Sequence, residues 1–181
     1  MKKLRILSIS FFLLFFSSSY LFSFSSDPKE FVTELVNEAI SKLADKNLTK
    51  EEKEQFIEKI ALENVDIDAL ALNTLGELRK TSEKQDVISY QLAFEKYFLK
   101  SLTSRLTDYS SQKFEVTGEE QKSSNYTIVS SKIAANDKNP EINISWRIYT
   151  KNPDKPLVRD LIVEGLSLAK TQKEEFASIL K

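Results

Sequence analysis

The stretch from Glu141 to Thr150 reads EINISWRIYT, and its alternation decides the fold. Apolar side chains occupy every second position, namely Ile142, Ile144, Trp146 and Ile148. The positions between them hold polar side chains or tyrosine, namely Asn143, Ser145, Arg147 and Tyr149. A period of two places successive side chains on opposite faces of a strand, and one apolar face indicates a sheet that is covered on one side only. The stretch therefore predicts a strand of an antiparallel sheet.

Alternating stretches on both sides extend this sheet to about four strands. Phe114 and Val116 predict a first strand that turns at Gly118. A second strand is predicted over 125–135 and a last one over 157–168, with turns at 136–140 and 152–154. Short turns between strands at this spacing are typical of an antiparallel meander.

The chain ahead of the sheet has helical periodicity. Asp27 to Glu30 and Thr49 to Glu52 form capping boxes, the first with proline at the first helical position. Further helices are predicted over 67–75, from a cap at Ser82 and Gln85 to about Asp108, and from Thr171 onwards. We therefore expect an α+β fold, in which N-terminal helices pack on a curved antiparallel sheet, a helix ends the chain, and an apolar cavity lies between the layers.

The first 25 residues are predicted to be a secretory signal peptide. Lys2, Lys3 and Arg5 precede an apolar run over 6–16 and then a serine-rich stretch. Cleavage fits after Ser19 or Ser25, and the later site is favoured because the earlier one leaves an apolar tail. An uncleaved anchor is the alternative, but serines dilute the apolar run below a span of about 20 residues. We expect residues 26–181 to form one secreted domain.

Composition excludes several classes of function. The chain has no cysteine, which removes disulfides, thiol chemistry and a lipoprotein anchor, and no histidine, which removes the commonest general base. Three of the 26 basic residues and none of the 27 acidic ones lie in the predicted signal peptide, so the remainder is mildly acidic. This argues against a nucleic-acid partner, which would require a basic face.

The end of the chain carries a family signature. A strand with the pattern Val-x-Asp-x-x-Val-Glu-Gly-x-Ser-Leu is followed by a helix opening Thr-Gln-Lys-x-x-Phe. The matching residues are Val158, Asp160, Val163, Glu164, Gly165, Ser167 and Leu168, then Thr171, Gln172, Lys173 and Phe176. This pattern resembles that of the MlaC family, also called toluene-tolerance or ABC-transporter auxiliary proteins. Similar segments at 65–71, 75–76, 113–118 and 143–147 extend the resemblance over residues 28–181.

The resemblance implies a periplasmic carrier in a Gram-negative bacterium. Such a protein shuttles phospholipid between an outer-membrane lipoprotein–porin complex and an inner-membrane ABC transporter with an MCE-type subunit, which maintains the lipid asymmetry of the outer membrane. The protein would not be an enzyme and would need no cofactor or metal, because the phospholipid is its cargo.

Lipid carriage requires a deep apolar cavity. Two acyl chains contain about 28 methylene groups, so their exposure to water costs on the order of 20 kcal/mol. With the resemblance in hand, the predicted lipid-binding residues come from the long helix and the sheet: Tyr90, Phe94, Tyr97, Phe98, Ile128, Ile144, Trp146, Ile148, Val163 and Leu166. From periodicity alone, each of them is more often ordinary core.

Two other functions stay open on the residues. A cavity enzyme of the NTF2-like type, acting on a small hydrophobic substrate, could use Asp160 with Tyr149 or Tyr97. A purely structural or adaptor protein would have a filled core. Asp160, Glu164 and Ser167, beside Gly165, more often cap or turn a strand-to-helix junction. Arg147 could contact a phosphate group but is more often solvated.

Overall fold

The computed structural model of the protein describes residues 24–106, 113–136 and 140–180. In this part of the chain, helices come first: α1 (Pro28–Ala44), α2 (Lys50–Asn64), α3 (Ile67–Leu75), α4 (Leu78–Thr81) and α5 (Lys84–Leu106). The sheet follows and a helix closes it: β1 (Phe114–Ser123), β2 (Tyr126–Ile133), β3 (Ile142–Tyr149), β4 (Leu157–Val163), β5 (Leu166–Ser167) and α6 (Leu168–Ile179). The α+β prediction is confirmed. The predicted signal peptide up to residue 23, the end of the long helix near Asp108 and turn residues 137–139 lie outside the described residues.

The first two helices begin where their capping residues predict. The Asp27 carboxylate accepts hydrogen bonds from the backbone N–H groups of Lys29 and Glu30 at 3.1 and 2.9 Å. Thr49 and Glu52 form both halves of a capping box ahead of α2. These bonds satisfy backbone donors that a helix start otherwise leaves without partners. The cap predicted at Ser82 is one residue early, because α5 begins at Lys84.

The strands form an antiparallel meander in the order β1-β2-β3-β4-β5. The turn predicted at Gly118 is wrong. β1 continues through Gly118 to Ser123, with a shift of register between Val116 and Gly118. A glycine inside a strand often marks such a bulge, and here the chain reverses only after Ser123.

The last predicted strand is broken in two. β4 ends at Val163, and Glu164 and Gly165 take φ angles of 48° and 81° before Leu166 pairs back with Val163. A two-residue hairpin turn with both φ angles positive matches the right-handed twist of the strands it joins. The terminal helix therefore starts at Leu168, three residues before the predicted Thr171.

One buried cluster joins the helices to the sheet, and a second joins the helices to one another. In the first, Phe31, Val32 and Leu35 of α1 pack against Val129, Ile148 and Val158 on one face of the sheet. In the second, Ile67, Leu70 and Ala71 of α3 pack against Phe94 of α5, with Phe176 of α6 at the side. The helices thus cover one face of the sheet, and two separate cores flank the space between the layers.

β1 lies at the edge of the sheet and is well exposed. Along its length the side chains of Glu115, Glu119, Glu120 and Lys122 face solvent. Lys122 and Glu120 form an ion pair at 2.6 Å, and Glu115 lies 3.7 Å from Lys132 of the neighbouring strand.

Candidate functional site

A cavity of about 490 Å³ lies between the helices and the sheet. From the helical layer its wall includes Leu35, Val36, Ala39, Ile40, Leu43, Ile57, Ile60, Ala61, Leu70, Phe98, Leu102 and Leu106. The sheet and the start of α6 supply Phe114, Ile133, Ile142, Ile144, Trp146, Val158, Leu161, Val163, Leu168 and Ala169. The wall is therefore almost entirely aliphatic and aromatic.

The periodicity of each element explains why its apolar side chains meet at this cavity. On α1 the lining positions follow spacings of one, three and four residues from Leu35 to Leu43, which gives a wide apolar face. On β3 they are the alternate positions Ile142, Ile144 and Trp146. The pairing of β4 with β3 has a register shift between Arg147 and Ile148. Because of this shift, Val158 and Leu161 of β4 both face the cavity although they are three positions apart.

Trp146 lies in the cavity wall with its polar atom satisfied elsewhere. Its indole N–H donates to Ser131 Oγ at 2.9 Å, and the Ser131 hydroxyl donates to the carbonyl oxygen of Ile144 at 3.1 Å. The Phe114 ring meets the indole edge-on, with 6.2 Å between the ring centroids. The sheet thereby supplies a large aromatic surface to the cavity without an unsatisfied polar atom.

Asp160 is a polar member of the wall, and its oxygens are engaged in capping. Its side chain is 0 % exposed. Oδ2 accepts a hydrogen bond from the Ser167 hydroxyl at 2.6 Å, and Oδ1 accepts one from the Ala169 backbone N–H at 2.9 Å. Ser167 in turn accepts from Lys170 N–H as the N-cap of α6. The prediction that Asp160 and Ser167 cap the strand-to-helix junction is confirmed.

Four of the residues predicted to bind lipid line the cavity: Phe98, Ile144, Trp146 and Val163. Ile148 faces the helices but is 0 % exposed, packed in the first core cluster. Ile128 lies on the opposite face, since the buried positions of β2 are the odd-numbered ones such as Val129. Leu166 stands in the hairpin that precedes α6 and is 69 % exposed.

The remaining three predicted residues form an aromatic cluster that holds α6. The rings of Tyr90, Phe94 and Tyr97 lie 6.4, 5.8 and 5.5 Å from that of Phe176. Burial raises the pKa of Tyr90, although a hydrogen bond of 2.8 Å with the Thr74 hydroxyl partly offsets this. The helical stripe of α5 thus packs on α3 and α6, and only its C-terminal part, from Phe98 onwards, reaches the cavity.

The predicted lipid-binding residues included none from α1 or α2, although these helices supply much of the cavity wall. The width of the apolar face of α1 was a signal in the sequence, because this face offers more apolar side chains than packing against one layer requires. Val36, Ala39 and Ile40 accordingly remain only partly buried and face the cavity.

The tyrosines of the enzymatic alternative do not line this cavity. Tyr97 belongs to the aromatic cluster, and Tyr149 lies under the guanidinium of Arg159, whose central carbon is 3.4 Å from the ring centroid. Burial lowers the pKa of Arg159, but its hydrogen bonds to Tyr126 and Asp66 outweigh this and leave the pKa above its ordinary value. The hydrogen bonds of the Asp160 carboxylate go to Ser167 and Ala169, and neither tyrosine proposed to act with it lines the cavity.

Two further features concern residues 24–106, 113–136 and 140–180. No cluster of three or more histidine, cysteine, aspartate or glutamate side chains is arranged to hold a metal ion there. Within the same residues, no helix has the length and apolar character needed to cross a membrane.

The fold and the cavity define a class: an α+β protein with a helical layer over an antiparallel sheet and an apolar cavity between the two. The family model of the MlaC protein matches residues 33–181, and the chain therefore belongs to the MlaC family. It is similar to a phospholipid-binding protein from Ralstonia solanacearum, solved in complex with a phospholipid. The TM-score is 0.67 and the identity 17 %, over 82 % of this chain and 84 % of that one. No curated protein sequence matches the chain.

Proposed function

We propose that the protein binds phospholipid in the cavity between its helices and its sheet and carries it through the periplasm. The observation that carries the proposal is the apolar cavity of about 490 Å³ in a chain of the MlaC family. The phospholipid bound by the Ralstonia solanacearum protein of the same fold supports it. Acyl chains would be held by burial and dispersion contacts, which tolerate variation in the lipid.

The size of the cavity bears on how much lipid it holds. A cavity of about 150 Å³ accommodates benzene, so each of the six carbon atoms has about 25 Å³ of cavity volume. On that scale the cavity has room for about 20 carbon atoms. One acyl chain fits, whereas two chains with about 28 methylene groups require the helical layer to move away from the sheet. The aliphatic contacts between these layers can be exchanged for contacts with lipid.

Native mass spectrometry tests the proposal. Protein secreted to the periplasm is purified without detergent, measured intact, and then extracted with organic solvent. We expect an adduct at the mass of one phospholipid. A bare polypeptide mass that persists after incubation with phosphatidylethanolamine vesicles would refute lipid carriage.

We further propose that residues 1–25 are a signal peptide cleaved after Ser25, and that residues 26–181 form one exported domain. The positive and apolar segments at the N-terminus support this. N-terminal sequencing of periplasmic protein tests it, and a first residue other than Ser26 would refute the site.

Family membership supports the proposed partners. The carrier would take phospholipid from, or give it to, an outer-membrane lipoprotein–porin complex and an inner-membrane ABC transporter with an MCE-type subunit, which maintains outer-membrane lipid asymmetry. Transfer of radiolabelled lipid from the loaded protein to the purified transporter in detergent-free discs tests this step. Equal transfer to empty discs would refute a specific partnership.

A further inference from the structure

A second cavity, of about 330 Å³, lies beside the apolar one and has a different character. Three guanidinium groups line it, from three elements of the fold: Arg79 of α4, Arg147 of β3 and Arg159 of β4. The other lining residues among those described are Ala69, Leu70, Asn73, Tyr126 and Ala169, so no carboxylate faces this space. We call it the arginine pocket.

Arg159 is a rigid part of the arginine pocket. Its Nε and Nη2 lie 2.8 and 2.7 Å from Asp66 Oδ2, and its Nη1 donates to the Tyr126 hydroxyl at 2.5 Å. The guanidinium also stacks on the Tyr149 ring. These contacts use three of the five N–H groups that a guanidinium offers and fix its plane, so the remaining donors are held in place ahead of binding.

The other two arginines are exposed and make few polar contacts within the protein. Arg79 Nη1 donates to the carbonyl oxygen of Leu72 at 3.1 Å, which is a neutral acceptor, and Arg79 is exposed. Arg147 Nη1 lies 3.6 Å from Asp160 Oδ2, which already accepts the shorter hydrogen bond from Ser167. Both guanidinium groups therefore retain donors and positive charge for a ligand.

We propose that the arginine pocket binds a phosphate group. Guanidinium donors match phosphate oxygens in pairs and make strong charge-assisted hydrogen bonds, and three converging arginines favour a tetrahedral anion. The pocket volume of about 330 Å³ exceeds what one phosphate requires, so a phosphate ester also fits. The site does not depend on lipid carriage, since its three arginines do not line the apolar cavity.

Two alternative sources of this phosphate fit the position of the pocket. Leu70 and Ala169 line both cavities, so the two spaces are neighbours, and the first source is the headgroup phosphate of a phospholipid whose chains occupy the apolar cavity. Inorganic phosphate or a soluble phosphate ester could equally enter from solvent, because Arg79 and Arg147 are exposed.

Isothermal titration of lipid-extracted protein with inorganic phosphate tests the site. We expect measurable binding that Arg147→Gln weakens about tenfold or more, because a hydrogen bond between charged groups is lost. Arg147→Lys keeps the charge but loses the paired donors, and should weaken binding by less. Arg79→Gln repeats the test at an exposed position. Arg105→Gln, an exposed arginine at the end of α5, is the matched control.

Phosphorus NMR of the lipid-loaded protein distinguishes the sources. If the headgroup occupies the pocket, the lipid resonance shifts in Arg147→Gln and loaded protein no longer binds added phosphate. If the ligand comes from solvent, loaded and lipid-free protein bind phosphate equally and the lipid resonance is unchanged. Absence of phosphate binding to lipid-free protein together with an unshifted lipid resonance would overturn the site, as would equal losses in Arg105→Gln and Arg147→Gln.

Discussion

Replacement of Ala39 by tryptophan should exclude lipid from the cavity while the fold is kept. Ala39 projects from the middle of α1 into the cavity opposite the sheet and is only partly buried. The new side chain adds about nine heavy atoms, or about 225 Å³ at about 25 Å³ each. That is nearly half of the cavity volume of about 490 Å³.

The displaced volume sets the expected loss of affinity. About nine methylene groups are forced out, and at about 0.8 kcal/mol each this removes about 7 kcal/mol of favourable burial. Even if half of the loss is recovered by a shift of the helices, lipid affinity falls more than a hundredfold. The protein itself should lose at most about 1–3 kcal/mol of stability from overpacking, since the side chain enters an existing space.

Native mass spectrometry and thermal unfolding measure the two effects. Ala44→Trp is the matched control, because Ala44 ends the same helix, is exposed and lies outside the cavity wall. We expect full lipid occupancy in Ala44→Trp and almost none in Ala39→Trp. A folded Ala39→Trp protein that still carries one phospholipid per chain would refute the assignment of the cargo to this cavity.

Three further predictions concern what holds the site together. Asp160→Ala removes the acceptor of the Ala169 N–H and should lower the free energy of unfolding by about 3 kcal/mol, measured by denaturant titration. Phe176→Ala should release α6 by about 2 kcal/mol, seen as about thirtyfold faster amide exchange in that helix. Hydrogen bonds from the backbone and hydroxyl of Thr49 lower the pKa of Glu52, so their stabilisation is present above the ordinary pKa of 4.5 and is lost as the pH falls through the lowered value. Glu52→Gln should therefore lower stability at neutral pH but not in acid.

Each of these has a control on the same element or surface. Asp154→Ala, at an exposed turn, should leave stability unchanged, and an equal loss there would contradict the role of the Asp160 cap. Ile179→Ala, at a position 77 % exposed on α6, should not alter exchange. Glu51→Gln lies in the same helical turn as Glu52, and a matching pH dependence in it would contradict the capping box.

Periodicity predicted most of the fold, because local patterns determine most of its elements. The alternation around Trp146 and the caps at Asp27 and Thr49 act over a few residues, and the elements they predict are present. Errors arose where backbone geometry outweighed side-chain pattern. Gly118 signals a turn and a bulge equally well, and Glu164 continues an apparently regular strand although its positive φ makes it part of a hairpin turn.

The cavity was harder to predict, because it depends on how far apart the layers lie. An apolar face has the same periodicity whether it packs on another element or borders a space. The stripe of Phe94 and Tyr97 therefore looked like a lining, yet α6 covers it, and Phe176 supplies the covering ring. Ile128 was assigned to the wrong face because no pattern in β2 alone shows which side meets the helices. Whether the four predicted residues that line the cavity contact lipid stays a prediction.

The edge strand β1 has a consequence for solubility. An exposed strand of 10 residues offers a row of backbone hydrogen-bonding groups to which another chain could add, and such addition leads to polymerisation. In β1 two register shifts interrupt that row. Antiparallel self-association centred on Glu119 and Glu120 would also bring acidic side chains opposite each other, which is unfavourable. The same irregularities that displace the hairpin turn from its predicted position thus protect a concentrated protein from aggregating through its sheet.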